Sequence, residues 1–152
     1  MAAERPGGTP AAEGPGGTST AGIPRGLRIL VVEDEAVPAL DLEIQLQRMG
    51  HEVVAVADRA SEAIAAAGLH GPDVVLMDIR LADGSDGVEA AVSIRGLHDI
   101  PSIFLTAHSD PGTKQRAAAA RPAGFLVKPF LPADVAAALA LIRPAGPGDG
   151  QA

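Results

Sequence analysis

Between residues 27 and 142 the chain alternates two kinds of apolar pattern. Short unbroken runs of Val, Leu and Ile read as strands buried on both faces. The stretches between them carry apolar residues at every third or fourth position, which is the helical period. Leu27-Arg28-Ile29-Leu30-Val31-Val32 opens the series. After Glu33-Asp34-Glu35 comes a helix with Ala39, Leu42, Leu46 and Met49 on one face and Gly50 as its stop. The spacing then predicts a strand over Glu52 to Val56, a short helix over Ser61 to Ala67 closed by Gly68, and a strand over Val74 to Asp78. A glycine-rich loop from Leu81 to Ser85 leads into Asp86-Gly87-Val88-Glu89, which has the spacing of a capping box and opens a helix through Arg95. Pro101 to Leu105 reads as a fourth strand, and a weak helix begins near Asp110-Pro111. Gly124 to Val127 is a fifth strand, and Pro132 to Ile142 a last helix with Val135, Leu139 and Ile142 inward and Pro144 just beyond. Five strands alternating with five helices predict an α/β fold, a doubly wound parallel sheet in one domain over 27–142.

Composition refines this picture. The 152 residues include three Phe and neither Trp nor Tyr, so the core has to be aliphatic. Residues 1–26, with Pro6-Gly7-Gly8 and Gly14-Pro15-Gly16-Gly17, offer almost nothing to bury and are expected to be a disordered tail, as are residues 143–152. A formal charge of -7 argues against the basic stripe that a nucleic-acid surface needs. The absence of cysteine excludes disulfides, thiolate metal sites and cysteine nucleophiles. The N-terminus lacks the apolar core of a signal peptide and no run approaches membrane-spanning length, so a soluble cytoplasmic protein is expected, with neither membrane nor nucleic acid as partner.

The chemistry gathers where strands end. Val74-Val75-Leu76-Met77-Asp78 is an apolar run that stops on a carboxylate. A buried strand does not tolerate an unpaired charge, so Asp78 belongs just past the strand, in a cleft. Other apolar strands end in Glu33-Asp34, in Thr106 and in Lys128-Pro129. Glu33, Asp34 and Asp78 can meet where the first and third strands lie side by side, and three adjacent carboxylates need a cation to stay ionised. With only hard oxygen ligands on offer, magnesium is the natural choice. Taken alone, Glu33-Asp34-Glu35 reads as a solvated charge run favouring a helix N-terminus, Thr106 as an ordinary strand-to-loop hydrogen bond, and Lys128 as a surface lysine or the partner of Asp78. Together, a carboxylate nucleophile, a magnesium site, a lysine and a hydroxyl are the parts needed for phosphoryl transfer to Asp78. The histidines at 51, 70, 98 and 108 show no ligand spacing, and of these only His108 falls near the expected site.

These motifs resemble the receiver domain of bacterial two-component response regulators, and are similar to the stand-alone chemotaxis type. The likeness runs from about Leu27 to Ile142 and rests on Val31-Val32-Glu33-Asp34, Leu76-Met77-Asp78, Asp86-Gly87, Phe104-Leu105-Thr106-Ala107 and Val127-Lys128-Pro129-Phe130. The resemblance implies a flavodoxin-like sheet with strand order 2-1-3-4-5. It implies Asp78 as phosphoacceptor, Asp34 as a direct magnesium ligand with Glu33 helping through water, and the backbone carbonyl of Arg80 as a further ligand. It also implies Thr106 as the switch hydroxyl, Lys128 as the phosphate contact, a cis bond between Lys128 and Pro129, and Phe125 as the switch aromatic, a residue that as plain structure would be core. The loop after Asp78 departs from the family: Leu81-Ala82 stands where a proline is usual, with one residue more before Asp86-Gly87. Arg80 and His108 occupy two positions that in the family line the approach of water to the phosphoryl group.

The expected function is that of a single-domain response regulator rather than a conventional enzyme. A sensor histidine kinase would phosphorylate Asp78, and the face of the fourth helix, fifth strand and fifth helix would change its binding preference. Because no output domain follows Ile142, the downstream partner is expected to be a target protein or, in a relay, a histidine phosphotransfer protein; a homodimer is a further option. Two rival classes are an aspartate-nucleophile phosphohydrolase, which usually has a second Asp where this chain has Arg80, and a phosphorylation-independent binding module.

Overall fold

In the computed structural model of the chain, which describes residues 26–107 and 111–144, the apolar runs form one five-stranded parallel sheet. The elements are β1 (Arg28–Val32), α1 (Ala36–Arg48), β2 (Glu52–Ala57), α2 (Ala60–His70), β3 (Val74–Asp78), α3 (Gly87–His98), β4 (Ser102–Thr106), α4 (Pro111–Ala117), β5 (Gly124–Val127) and α5 (Pro132–Leu139). Single 3-10 turns sit at Ala82–Gly84 and Ala118–Ala120. The strand order is β2-β1-β3-β4-β5, the doubly wound arrangement expected, with β1 and β3 adjacent at the switch point. The expected tails, 1–26 and 143–152, lie outside the described residues except for 26, 143 and 144, and so does His108.

Because side chains alternate across a strand, each apolar run fills two cores at once. Leu30, Val32, Val75, Met77 and Phe104 face α2 and α3, meeting Ala63, Ala67, Ala91 and Ile94. Ile29, Val31, Leu76, Ile103 and Leu105 face the other way, toward Leu42 and Leu46 of α1 and Val135 and Leu139 of α5. All five residues of β3 are buried, as the unbroken run predicts for a central strand. The alanine-rich α2 and α3 pack closely because small side chains let the two backbones approach. Pro38 is accommodated in the first turn of α1, where its missing N–H has no partner to lose.

Strand limits shift by a residue at most, and three helix ends lie away from the sequence reading. α2 does not stop at Gly68 but runs to His70 and ends on Gly71, which has φ of 56°. Gly68 lies inside the helix, where an added Cβ would come within 3.1 Å of the His98 ring of α3. α3 likewise continues past Arg95 to His98. α5 ends at Leu139, three residues before Ile142, although the Ile142 N–H still donates to the Leu139 carbonyl at 3.0 Å. Asp86 does cap α3, its Oδ1 accepting the Val88 N–H at 2.8 Å. No helix among the described residues is long and apolar enough to cross a membrane.

Candidate functional site

A parallel sheet brings the carboxyl ends of all its strands to one edge, and here that edge carries the polar endings. Val32 pairs with Met77, Asp78 with Leu105, and Thr106 with Val127. The register therefore brings Glu33, Asp78, Thr106 and Lys128 together around one cleft. Glu33, Asp78 and Thr106 are buried, and Asp34 is exposed. The cleft encloses about 410 Å³ and is lined by Glu33, Asp34, Asp78, Arg80, Thr106 and Lys128, among others. Thr113 of α4 also reaches it. Nothing in the local sequence marks Thr113, since its place depends on how α4 packs.

Backbone hydrogen bonds hold the side chains in position. The Glu33 N–H donates to the Ala57 carbonyl of β2 at 2.9 Å, and the Lys128 N–H to the Thr106 carbonyl at 2.7 Å. The peptide bond between Lys128 and Pro129 is cis. From there the Lys128 ammonium donates to Asp78 Oδ2 at 3.1 Å and to Glu33 Oε1 at 3.4 Å. The other Glu33 oxygen, Oε2, accepts the Glu35 N–H at 3.1 Å. Gly87 permits the last approach, because a Cβ there would collide with the Asp78 carbonyl oxygen. That explains the glycine of Asp86-Gly87 sterically: α3 begins directly against the backbone of the site.

Oxygen atoms of Glu33, Asp34 and Asp78 lie within 4.8 Å of one another. This crowding has an electrostatic signature. Burial, with the charge of Asp78 adding to it, pushes the Glu33 carboxyl from 4.5 up to about 7, even though the Glu35 N–H and Lys128 favour its ionised form. Burial by itself would lower the pKa of Lys128, but the charges and hydrogen bonds of Asp78 and Glu33 outweigh it, so the ammonium is held above its ordinary value. One lysine does not neutralise three carboxylates. An all-oxygen donor set with surplus negative charge, one exposed member and an open cleft suits a small hard dication, and the residues fit magnesium on those grounds.

Phe125 does not point into the cleft. It is half-buried on β5, with its ring stacked on Phe104 at 5.6 Å between centroids and an interplanar angle of 30°. The Lys114 ammonium of α4 lies 5.5 Å from the Phe125 ring centre. Phe104 stands two residues before Thr106 on β4 and on the same face, so the aromatic pair runs from the strand that carries Thr106 to the surface of α4 and β5. The other described histidines are distant. His51 Nδ1 accepts the Leu27 N–H at 2.9 Å, the His70 carbonyl accepts from Arg28 at 2.7 Å, and His98 rests against Gly68.

A doubly wound sheet with an acidic cluster, a lysine and a hydroxyl at the carboxyl ends of its strands defines a receiver domain. The chain belongs to the response regulator receiver domain family, whose pattern matches residues 29–140, and members of this family are signalling proteins of two-component systems. It is 39% identical over 119 residues to the transcriptional regulatory protein PdtaR of Mycobacterium tuberculosis, covering 78% of this chain and 57% of that one. It is also 39% identical over 113 residues to the phyllosphere-induced regulator PhyR of Methylorubrum extorquens, covering 73% of this chain and 41% of that one. The chain thus spans about half the length of these curated relatives. Among solved structures, it superposes on the signal receiver domain of a modulated diguanylate cyclase from Desulfovibrio desulfuricans with a TM-score of 0.71 and 35% identity, over 76% of this chain and 92% of that one.

Proposed function

We propose that Asp78 accepts a phosphoryl group from the phosphohistidine of a sensor histidine kinase, and that this switches the surface formed by α4, β5 and α5. The observation that carries the reading is the Lys128 ammonium seated on the buried Asp78 Oδ2 and Glu33 Oε1, at 3.1 and 3.4 Å, with the exposed Asp34 completing the carboxylate cluster. A salt bridge kept only for stability has no use for the two further carboxylates beside it. A phosphoryl-transfer site needs that charge to hold a cation and needs the lysine to meet phosphate oxygens. In the transfer, an Asp78 oxygen forms the new P–O bond as the P–N bond to the kinase imidazole breaks, and the imidazole takes up a proton. Lys128 stabilises the charge that spreads over the phosphoryl oxygens. Asp34, Asp78, Glu33 and the Arg80 backbone carbonyl would hold magnesium. When bound, it neutralises charge on both the carboxylates and the phosphoryl oxygens.

After transfer, Thr106 donates its hydroxyl to the phosphoryl group. Movement of β4 toward the site loosens the stack between Phe104 and Phe125, and Phe125 reorients at the surface. That surface then binds a downstream target, the adaptor role; the half-buried aromatic stack favours it over a pure relay, which needs no change so far from Asp78. A phosphohydrolase fits less well, since Arg80 stands where the second acid would be. The direct test is labelling by acetyl phosphate with magnesium, followed by mass spectrometry. Wild type gains one phosphoryl group, while Asp78→Asn or chelator abolishes the gain. Undiminished label on Asp78→Asn would overturn the assignment.

A further inference from the structure

We infer that Ser85 is a positioning residue for phosphoryl transfer, because its hydroxyl fastens the loop that carries Arg80 to the first turn of α2. The inference rests on the reading of Asp78 as phosphoacceptor and deepens it.

The loop after β3 folds back on itself as a tight hairpin. The Gly87 N–H donates to the Ile79 carbonyl at 2.7 Å and the Leu81 N–H to the Ser85 carbonyl at 3.2 Å, with Arg80 and Asp86 bridged between them. The 3-10 turn at its tip, Ala82–Gly84, takes up the extra length of this loop and places Asp83 and Gly84 at φ of 62° and 75°. Leu81 seats the hairpin in the core beside α2 and α3, and polar attachments fix the rest of its orientation. Two hydrogen bonds tie it to the turn between β2 and α2. The Ala82 N–H donates to the Asp58 carbonyl at 3.0 Å, and the Ser85 Oγ accepts the Ala60 N–H at 3.0 Å. The same hydroxyl donates to the Ala82 carbonyl at 3.2 Å, so its donor is used as well as its acceptor.

The attachment also meets a need of α2. Its own N-cap residue, Arg59, makes no side-chain cap, and Ser85 supplies one from 25 residues away. The start of α2 and the hairpin are therefore one mechanical unit. Arg80, between the two cross-hairpin bonds, lines the cleft around Asp78. Loss of the hydroxyl leaves the hairpin's internal backbone bonds and the Ala82 N–H bond to the Asp58 carbonyl intact but removes its one tie to the first turn of α2, so the wall of the cleft at Arg80 is held less firmly. Transfer chemistry that depends on placement loses rate when a wall shifts by a fraction of an ångström.

Three variants test this: Ser85→Ala, Ser85→Thr and Glu62→Ala. Glu62 Oε1 accepts the Asp58 N–H at 3.3 Å, so its loss weakens the same helix start without removing either hydrogen bond to the hairpin. The readouts are amide exchange at Ala60 and Ala82, and the rate of Asp78 labelling against acetyl phosphate concentration. Ser85→Ala is expected to speed exchange at both amides and to lower the maximal labelling rate about threefold or more. Ser85→Thr is expected to restore both, and Glu62→Ala to reduce stability while labelling proceeds at the wild-type rate. Wild-type labelling in Ser85→Ala would overturn the inference and leave Ser85 a helix cap alone. An unlabelled wild-type protein would overturn the phosphoacceptor reading along with it, a result distinct from labelled wild type with an unaffected Ser85→Ala.

Discussion

Two carboxylates bracket β3 and are almost equally buried. Asp73, just before the strand, is 9% exposed, and Asp78, its last residue, 8%. Their surroundings differ in kind. Asp73 donates its N–H to the Arg28 carbonyl at 2.7 Å, and its Oδ2 accepts the Arg28 N–H at 2.8 Å, which pins the entry of β3 to that of β1. Asp78 instead faces a lysine and two further carboxylates. The amino edge even has the larger depression, about 650 Å³ against about 410 Å³, yet it is lined mainly by Ala67, Gly68, Pro72, Ile100, Pro101 and Ile142 together with a few polar groups. Neither burial nor cavity size marks a site. A carboxylate that accepts a backbone N–H and pins two strands together is structural, whereas one left among like charges still has binding capacity.

The contrast can be broken in several places. The largest effect is expected from Gly87→Ala, which sets a methyl group against the Asp78 carbonyl and forces α3 and the end of β3 apart. A cost of about 3 kcal/mol is expected from such overpacking against backbone, read as a lower urea midpoint. Unchanged stability would mean that α3 does not start against the site. Asp73→Ala comes next, at about 2 kcal/mol for the orphaned Arg28 N–H. Its magnesium-induced rise in melting temperature should match that of wild type, whereas Asp78→Ala should lose that rise. If Asp73→Ala also loses the magnesium response, the two edges are not distinct.

A third test uses pH. The Glu33 carboxyl stands at about 7 in the folded chain against 4.5 in the ordinary state, so the folded form holds the extra proton more tightly. Its stabilising contribution is complete below the unfolded value and is lost as pH rises through about 7. Without metal, the melting temperature of wild type should therefore fall relative to Glu33→Gln between pH 5 and pH 8, and magnesium should flatten the difference by favouring the ionised form. Parallel curves for the two proteins would show that Glu33 does not hold that proton. The smallest effect lies at the amino edge. Ser102 Oγ, at the start of β4, is buried without a hydrogen-bond partner. Ser102→Ala should raise stability by about 0.5–1 kcal/mol in urea unfolding, since an unsatisfied hydroxyl is removed. Destabilisation would show that the hydroxyl has a partner.

The sequence by itself determined the strands, their order of appearance and the edge on which the chemistry sits. Apolar runs and helical periods are local signals, readable in windows of a few residues, and a parallel alternation of the two leaves every strand's carboxyl end on the same side. That is why Glu33, Asp34, Asp78, Thr106 and Lys128 could be gathered from strand endings and from motifs known in the family. Tertiary structure decided the rest. The local pattern stops α2 at Gly68, whereas in the fold Gly68 packs against His98 inside the helix and Gly71 ends it. Glu33 meets a lysine 95 residues away, Ser85 caps a helix 25 residues before it, Arg116 of α4 reaches Asp86 at 2.8 Å across 30 residues, and Thr113 joins the cleft. No short-range pattern encodes these partners. Each depends on where whole elements come to rest, and so does the burial that moves the Glu33 carboxyl to about 7. Periodicity specifies which face of an element turns inward, but the neighbour that a polar atom finds there is set by the packing of elements far apart in the chain.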